Sequence, residues 1–443
     1  MLGKEDNELL CRIGPGTAMG NLFRQYWLPA LKSDELPAPD CPPLRIMLLG
    51  EALIAFRTTS GDVGLMQNSC PHRGASLFFG RNEEEGLRCV FHGWKFDTAG
   101  NCVDMPSEPA ESNFRSKVHA TAYRCHERNG IIWAYLGSRE TPPSLPELEA
   151  NMLGEDASVI TVLHRANNWM QGWEGEMDTV HAAFLHGGAT RVEDTVPGSL
   201  QYYEAKTRAG RFSVRDTDHG TSYSMIRPAE PDTYYHRIGH MLFPCFAMVP
   251  PGPLGQGPNF IAYVPMDDYH TLEWNVFSRA RRDVIPGGGN IAGGQRTPGV
   301  QREYLPNGTG WFDRYNITQN WQNDFLIDRE AQKNWVSYTG IEGIRQQDMA
   351  MTEGMGPILN RSAEHLGTTD SLIIRTRRRL IACAKALRDE GVMPAGVEHP
   401  EAYHQRSGGI ILPRSVDWWD GTRELRERFE AKSQAAPAPV GTN

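Results

Sequence analysis

Between about residues 44 and 136 apolar and polar positions alternate in short runs: "LRIMLLG", "LIAFRT", "VGLMQN", "LRCVF", "KFDTAGNCVD" and "GIIWAYLG". These are separated by Gly, Asn and Pro. A period of two over short runs predicts antiparallel strands and tight turns. The Pro-rich joint "SRETPPSLPELEA" can continue neither helix nor sheet, which predicts a boundary near 140–150. Beyond it, "NNWMQGWEGEMDTVHAAFLH" has apolar residues at helical spacing and no Pro, so a helix is expected over 168–186. Strand-like runs return over 199–280, among them "YYHRIGHMLFPCFAMVP", "NFIAYVPM" and "TLEWNVFS". The Gly-rich stretch 286–310 has no strand leading into it and no Lys-Ser/Thr after it, so it reads as a loop and not a phosphate cradle. Helical spacing resumes in "WQNDFLIDREAQ", "IRQQDMAMTEGM" and "DSLIIRTRRRLIACAKALRDEG", with the Arg run of the last read as a solvated face. The tail 431–443 reads as disordered. The class is therefore α+β, with an antiparallel β unit at 44–145 and a larger mixed unit at 146–430.

At 443 residues such units can each bury a core without disulfides. The 45 Lys and Arg against 54 Asp and Glu include no long basic tract, so nucleic acid is not an expected partner. Eight cysteines are too sparse for a secreted disulfide framework. The opening "MLGKEDNELL" is acidic where an export signal is basic and then apolar. The best apolar run, "RIMLLGEALIAF", is broken by Gly50 and Glu51 well short of a membrane span. A cytoplasmic protein with no membrane partner is expected.

Chemistry enters with "CPHRGASLFFGRNEEEGLRCVFHGW", residues 70–94, which holds the couples Cys70/His72 and Cys89/His92 beside Pro71, Gly74 and Gly93. Two turns could clamp one centre. A structural zinc site more often uses Cys-x-x-Cys knuckles. The alternating order suits a Rieske [2Fe–2S] cluster, in which one iron takes two thiolates and the other two imidazoles. Zinc, or ordinary core residues, are the alternatives. Phe78, Phe79, Phe91 and Trp94 would shield such a cluster, leaving the His edges near the surface.

A cluster only carries electrons, so a place to use them is expected. "EGEMDTVHAAFLH" offers Glu174, Asp178, His181 and His186. His181 lies three residues after Asp178, on one helical face, and a small bend brings His186 to the same point. Two imidazoles and a carboxylate form the facial triad of non-haem Fe(II) oxygenases. Asp178 is better placed to accept a hydrogen bond from an imidazole than to reach the metal. The chosen carboxylate is Asp348 in "QQDMAM", with Asp324 and Asp328 in "NDFLIDRE" as rivals. Read alone, the histidines could be structural, leaving an electron-transfer or zinc-stabilised binding protein.

These motifs, in this order, resemble the terminal oxygenase (alpha) subunits of the Rieske non-haem iron aromatic ring-hydroxylating oxygenases. "EDNELLCRIGPGTAMGNLFRQYWLPA", "HGWKFDTAGNCVDMP" and "QDMAMTEGMGPI" are most similar to the group of phthalate dioxygenase and dehydrodivanillate O-demethylase. The resemblance implies a Rieske β-domain, then a helix-grip catalytic domain whose curved antiparallel sheet wraps a helix, with segment 1–43 packed on it. It implies a [2Fe–2S] cluster on Cys70, His72, Cys89 and His92, and mononuclear Fe(II) on His181, His186 and Asp348. It also implies O2 as co-substrate, a separate NAD(P)H-dependent reductase, directly or through a ferredoxin, and a head-to-tail trimer or its stacked hexamer. In such trimers an aspartate, matched by Asp178, joins one subunit's cluster to its neighbour's iron. No dinucleotide fingerprint is present, in keeping with a reductase on another chain.

The group's substrates are mostly aromatic carboxylates, for which an arginine fork is the expected anchor. Arg208, Arg211, Arg215 and Arg237 are the candidates. Region 187–245 departs from the phthalate-specific pattern. That favours O-demethylation of a methoxylated, lignin-derived biaryl acid, with cis-dihydroxylation of phthalate or a related benzoate as the alternative.

Overall fold

The alternating runs form the strands they predict, in a computed structural model describing residues 2–431 apart from 189, 251 and 280–302. Most of the Gly-rich stretch and the tail from 432 onward lie outside the described residues. Strands β1 (Trp27–Lys32), β2 (Leu44–Leu48), β3 (Glu51–Arg57), β4 (Val63–Gln67), β9 (Ala122–Arg128) and β10 (Ile131–Tyr135) make a six-stranded antiparallel sheet, ordered β1-β10-β9-β4-β3-β2. Inserted between β4 and β9 are β5 (Arg81–Glu83), β6 (Gly86–Arg88), β7 (Lys95–Phe96) and β8 (Cys102–Asp104), a four-stranded sheet with Cys70 and His72 in the segment leading into it and Cys89 and His92 in its β6–β7 turn. Its small core of Leu77, Leu87, Trp94 and Phe96 packs on Ile54, Phe56 and Met66 of the larger sheet.

The second half is built on eight strands: β11 (Ser158–Arg165), β12 (Arg211–Thr217), β13 (Gly220–Pro228), β14 (Thr233–Leu242), β15 (Phe246–Met248), β16 (Asn259–Pro265), β17 (Thr271–Ser278) and β18 (Gly408–Pro413). They pair antiparallel in the order β11-β17-β16-β15-β14-β13-β12, with β18 added to β14. A two-sheet β unit followed by a mixed sheet-and-helix unit is the architecture that the resemblance implies.

Helices α1 (Lys4–Cys11) and α2 (Ala18–Phe23) lie on α7 (Ser371–Glu390), while β1 between them and the rest joins the first sheet. Helix α3 (Trp169–Met177) lies against the sheet, burying Trp169, Trp173 and Met177. Gly172 permits this approach, because a Cβ there would run into the Tyr263 ring of β16. α4 (Leu200–Lys206), α5 (Arg329–Lys333) and α6 (Ile344–Gly354) complete the helices used below.

Three local expectations are corrected. The run beginning at 199 opens on α4 and not on a strand, started by Ser199, whose hydroxyl accepts from Tyr202 N. In "WQNDFLIDREAQ" only the last four residues are α-helical, as part of α5. Asp324, Phe325 and Leu326 take left-handed φ of 51, 54 and 52°, which no α-helix tolerates. The Arg run of α7 is not wholly solvated: Arg375 is exposed on Asp216, but Arg377 is buried between Glu174 and Glu364.

Among the described residues no helix is long and apolar enough to cross a membrane. No disulfide joins any of the eight cysteines.

Candidate functional site

The two Cys/His couples sit in turns of the same construction. Cys70 N donates to Ala75 O and Gly74 N to Cys70 O, at 2.8 and 2.9 Å. Cys89 N donates to Trp94 O and Gly93 N to Cys89 O, again at 2.8 and 2.9 Å. Each turn needs its glycine at a left-handed φ, +74° at Gly74 and +81° at Gly93. The thiols are buried and meet; burial, countered by the His72 backbone and reinforced by Cys89, pushes the Cys70 thiol up to about 11. The imidazoles are half-exposed, His72 stacked on Trp94 at 4.3 Å and its ring 4.4 Å from that of His92. His72 Nδ1 is buried with no hydrogen-bond partner, at a cost unless something accepts its lone pair. Two facing thiols, two adjacent imidazoles and an orphaned ring nitrogen fit a Rieske cluster.

The expected 168–186 helix breaks at Asp178. α3 begins on Asn168, whose side chain accepts from Met170 N, and ends where Asp178 turns extended at φ −81° and ψ 97°. Asp178 Oδ1 then accepts from Val180 N at 2.9 Å and His181 N at 3.2 Å, competing successfully with helical bonding. The chain resumes as a π-helical turn, Ala182–His186, closed by Gly187 N donating to Ala182 O. A π turn bonds residues five apart and so sets them nearly one above the other. His181 and His186 are thus brought to one side by the wider turn, where an α-helix would have splayed them.

Their Nε2 atoms lie 3.1 Å apart, and Asp348 Oδ1 of α6 is 3.0 Å from His186 Nε2 and 3.5 Å from His181 Nε2. All three ligand atoms lie within 4.8 Å of one another, close enough to hold a single metal ion. Burial alone would raise the Asp348 carboxyl, yet the two imidazoles outweigh it and hold it far below the usual range. Two ring nitrogens and a carboxylate oxygen converging on one point fit a mononuclear divalent iron. Asp324 is not brought there, and Asp328 instead caps α5 by accepting from Ala331 N.

Asp178 Oδ2 lies 3.7 Å from His181 Nδ1, behind the ring, its side chain about one-third exposed. Glu174 is not brought to this point: it is buried against Arg361 and Arg377 on the other side of α3. Sequence reasoning missed three groups around the centre. Gln347 Oε1 is 2.7 Å from His186 Nδ1. Arg345 Nη1 lies 3.6 Å from Asp348 Oδ2 and 2.5 Å from Glu176 Oε1, which also accepts from Tyr263 Oη. Arg345 stands three positions before Asp348, a helical proximity that could have flagged it, whereas Gln347, one position before, is on a different helical face. Glu176 carried no such signal.

His181, His186 and Asp348 open onto a cavity of about 410 Å³, in the range of small-molecule sites. Arg208 and Arg237 line it; Arg211 and Arg215 do not. Those two are on β12, the sheet's outer strand, where Arg215 pairs with Asp417. Arg208 stacks over Phe184 and donates to Thr190 O, and Arg237 Nη1 donates to Glu204 Oε1 at 3.1 Å.

Residues 26–126 match the Rieske [2Fe-2S] domain family, and residues 134–437 the family described as LigXa C-terminal domain like. The chain is 44% identical to the 3-chlorobenzoate-3,4-dioxygenase oxygenase subunit of Comamonas testosteroni, over 94% of this chain and 96% of that one. It is 36% identical to the phthalate 4,5-dioxygenase oxygenase subunit of Pseudomonas putida, over 95% and 94%. To the 5,5'-dehydrodivanillate O-demethylase oxygenase subunit of a Sphingobium strain it is 30% identical, over 86% and 80%. Its fold is similar to that of dicamba monooxygenase, with a TM-score of 0.55 at 17% identity over 82% and 98%.

Proposed function

Because the chain belongs to the Rieske non-haem iron aromatic-ring oxygenases, as a terminal oxygenase subunit, we propose that it oxidises a benzoate-type carboxylic acid on iron held by His181, His186 and Asp348. Its cofactors are a Rieske [2Fe–2S] cluster and a mononuclear non-haem iron, and it works with a separate reductase and O2. The observation that carries the proposal is one cavity holding both the two-imidazole, one-carboxylate group and two arginines. When bound, the iron supplies the O2-activating redox chemistry, and the cluster, on Cys70, His72, Cys89 and His92, supplies electrons one at a time.

Arg208 and Arg237 bind the substrate carboxylate, their forks offering paired donors while the apolar walls exclude water. Glu204 orients Arg237. Replacing either arginine by leucine is expected to raise KM by about tenfold to a hundredfold, the range of a charge-assisted hydrogen bond of about 1.5–3 kcal/mol. Arg237→Leu should be the more severe, since it leaves Glu204 to repel the acid.

The reaction is ring cis-dihydroxylation: substrate, O2, two electrons and two protons give one dihydrodiol. Identity of 44% and 36% to proteins named as dioxygenases supports this over the 30% to an O-demethylase. That last relative keeps O-demethylation as the second reading, in which a methoxylated acid yields a phenol, formaldehyde and water. With a compatible reductase, product mass and formaldehyde are measured together across benzoates and methoxylated biaryl acids. A dihydrodiol without formaldehyde is expected, and formaldehyde in step with oxygen uptake would favour the second reading.

The working unit is a head-to-tail trimer. Asp178, part-exposed behind His181, links that ligand to a cluster histidine of the neighbouring subunit; exposed Phe79, Val90 and Phe91 beside the cluster give the apolar surface for that contact. In Asp178→Asn both metals are expected to remain, while cluster-to-iron electron transfer in a single turnover slows about 10–100-fold. An unchanged rate would refute the link.

A further inference from the structure

We propose that Gln347 is a positioning residue for the mononuclear iron, its amide dictating which nitrogen of His186 carries the proton and which faces the metal. The inference rests on His186 being a ligand.

An amide group can be drawn either way round, so its neighbours must decide. Gln347 Nε2 lies 2.9 Å from Ile341 O and 3.1 Å from Thr339 Oγ1. Ile341 O is a carbonyl and can only accept. The Thr339 hydroxyl directs its own hydrogen to Ile341 O, which leaves its oxygen to accept from Ile341 N and from the amide. The NH2 end therefore belongs on that side, and Oε1 belongs 2.7 Å from His186 Nδ1. A carbonyl oxygen cannot donate, so the proton sits on Nδ1 of His186. Its Nε2 keeps a lone pair, aimed where Asp348 Oδ1 and His181 Nε2 converge.

The arrangement is built, not incidental. Gln347 and Thr339 are buried, so water does not compete for the amide. The turn that presents Thr339 and Ile341 requires Gly340 at φ +71°, where a Cβ would run into the Asp328 carbonyl. His181 has a different partner, the carboxylate of Asp178. The two imidazoles thus receive unlike support, one charged and one neutral, and only the neutral one is fixed from within the subunit's core.

The test is an anaerobic Fe(II) titration of the cluster-bearing enzyme after a chelator has removed its mononuclear iron. Gln347→Leu removes the acceptor and is expected to weaken Fe(II) binding about 10–100-fold with the Rieske spectrum unchanged. Gln347→Glu keeps an acceptor opposite Nδ1 and, with its acid proton on the Ile341 O side, replaces the amide donor, so it is expected to bind within a few-fold of wild type, a rescue that a purely space-filling role would not give. His186→Ala is the control. If it weakens binding while Gln347→Leu does not, or if both Gln347 variants weaken it equally, the positioning role is overturned. If His186→Ala itself binds as wild type, the ligand assignment fails instead.

Discussion

Replacing His181 by alanine is expected to abolish turnover and remove the mononuclear iron, while the visible spectrum of the cluster stays as in wild type. Loss of an outer partner of a ligand already costs about 10–100-fold, and loss of the ligand itself must exceed that. The effect stays local because His181 stands at the head of a short π turn, about one-quarter exposed, with Asp178, His186 and Asp348 as its near partners. The Rieske turns are held by their own backbone hydrogen bonds and do not depend on it. Oxygen uptake with reductase, iron analysis and the absorption spectrum check the three parts separately. Turnover above the background of the reductase alone would remove His181 from the site.

The largest stability effect is expected at Glu174, the acidic residue of the same motif that faces away from the metal. Its carboxylate accepts from Arg361 Nε and Nη2 at 3.0 Å each and from Arg377 Nε at 2.5 Å, and both guanidinia are buried. Glu174→Leu leaves Arg361 with only the neutral Asn7 and Cys11 side chains, while Arg377 keeps Glu364. Breaking a buried pair in this way costs about 3–5 kcal/mol, because an uncompensated charge remains in the interior. The pH dependence has a definite sign. Burial would raise this carboxyl, but Arg361 and Arg377 outweigh it and hold it below its usual value. A group depressed on folding contributes stability above its unfolded value of about 4.3 and loses it as pH falls through the folded one. Wild type should therefore lose more stability on acidification than Glu174→Leu, read from urea unfolding at neutral pH and in acid. Equal slopes would show that Glu174 is not charged in the folded protein.

The cluster motif was legible because its chemistry is local. Each Cys and its His lie within one turn, and the glycines that the turn needs stand in the same few residues. Asp348, Asp324 and Asp328 carry the same side chain, and nothing in a linear sequence measures their distances from the π turn, so the choice of Asp348 left the other two as rivals. The form of the turn itself was not legible. Apolar spacing suits an α-helix through His186, and the break at Asp178 comes from one side chain bonding two backbone amides, which periodicity does not register. Arg211 and Arg215 failed as cavity residues for a similar reason. They lie on a predicted strand, but which strand is outermost is decided by pairing between distant segments. Arg377 shows the same limit, its charge being buried by Glu174 two hundred residues away in sequence.

Helix α6 has a consequence for how iron is lost. Arg345, Gln347 and Asp348 lie within four successive positions of that helix. It is fastened by Arg345 to Glu176, by Gln346 to Gln319, and by Thr352 to Arg165 and Gln171. A proposed iron ligand, the proposed support of a second and a counter-charge therefore ride on one helix. Opening of that helix would withdraw all three together, so release of a bound ion is expected to follow the cooperative fraying of a helix and not the stepwise detachment of single side chains.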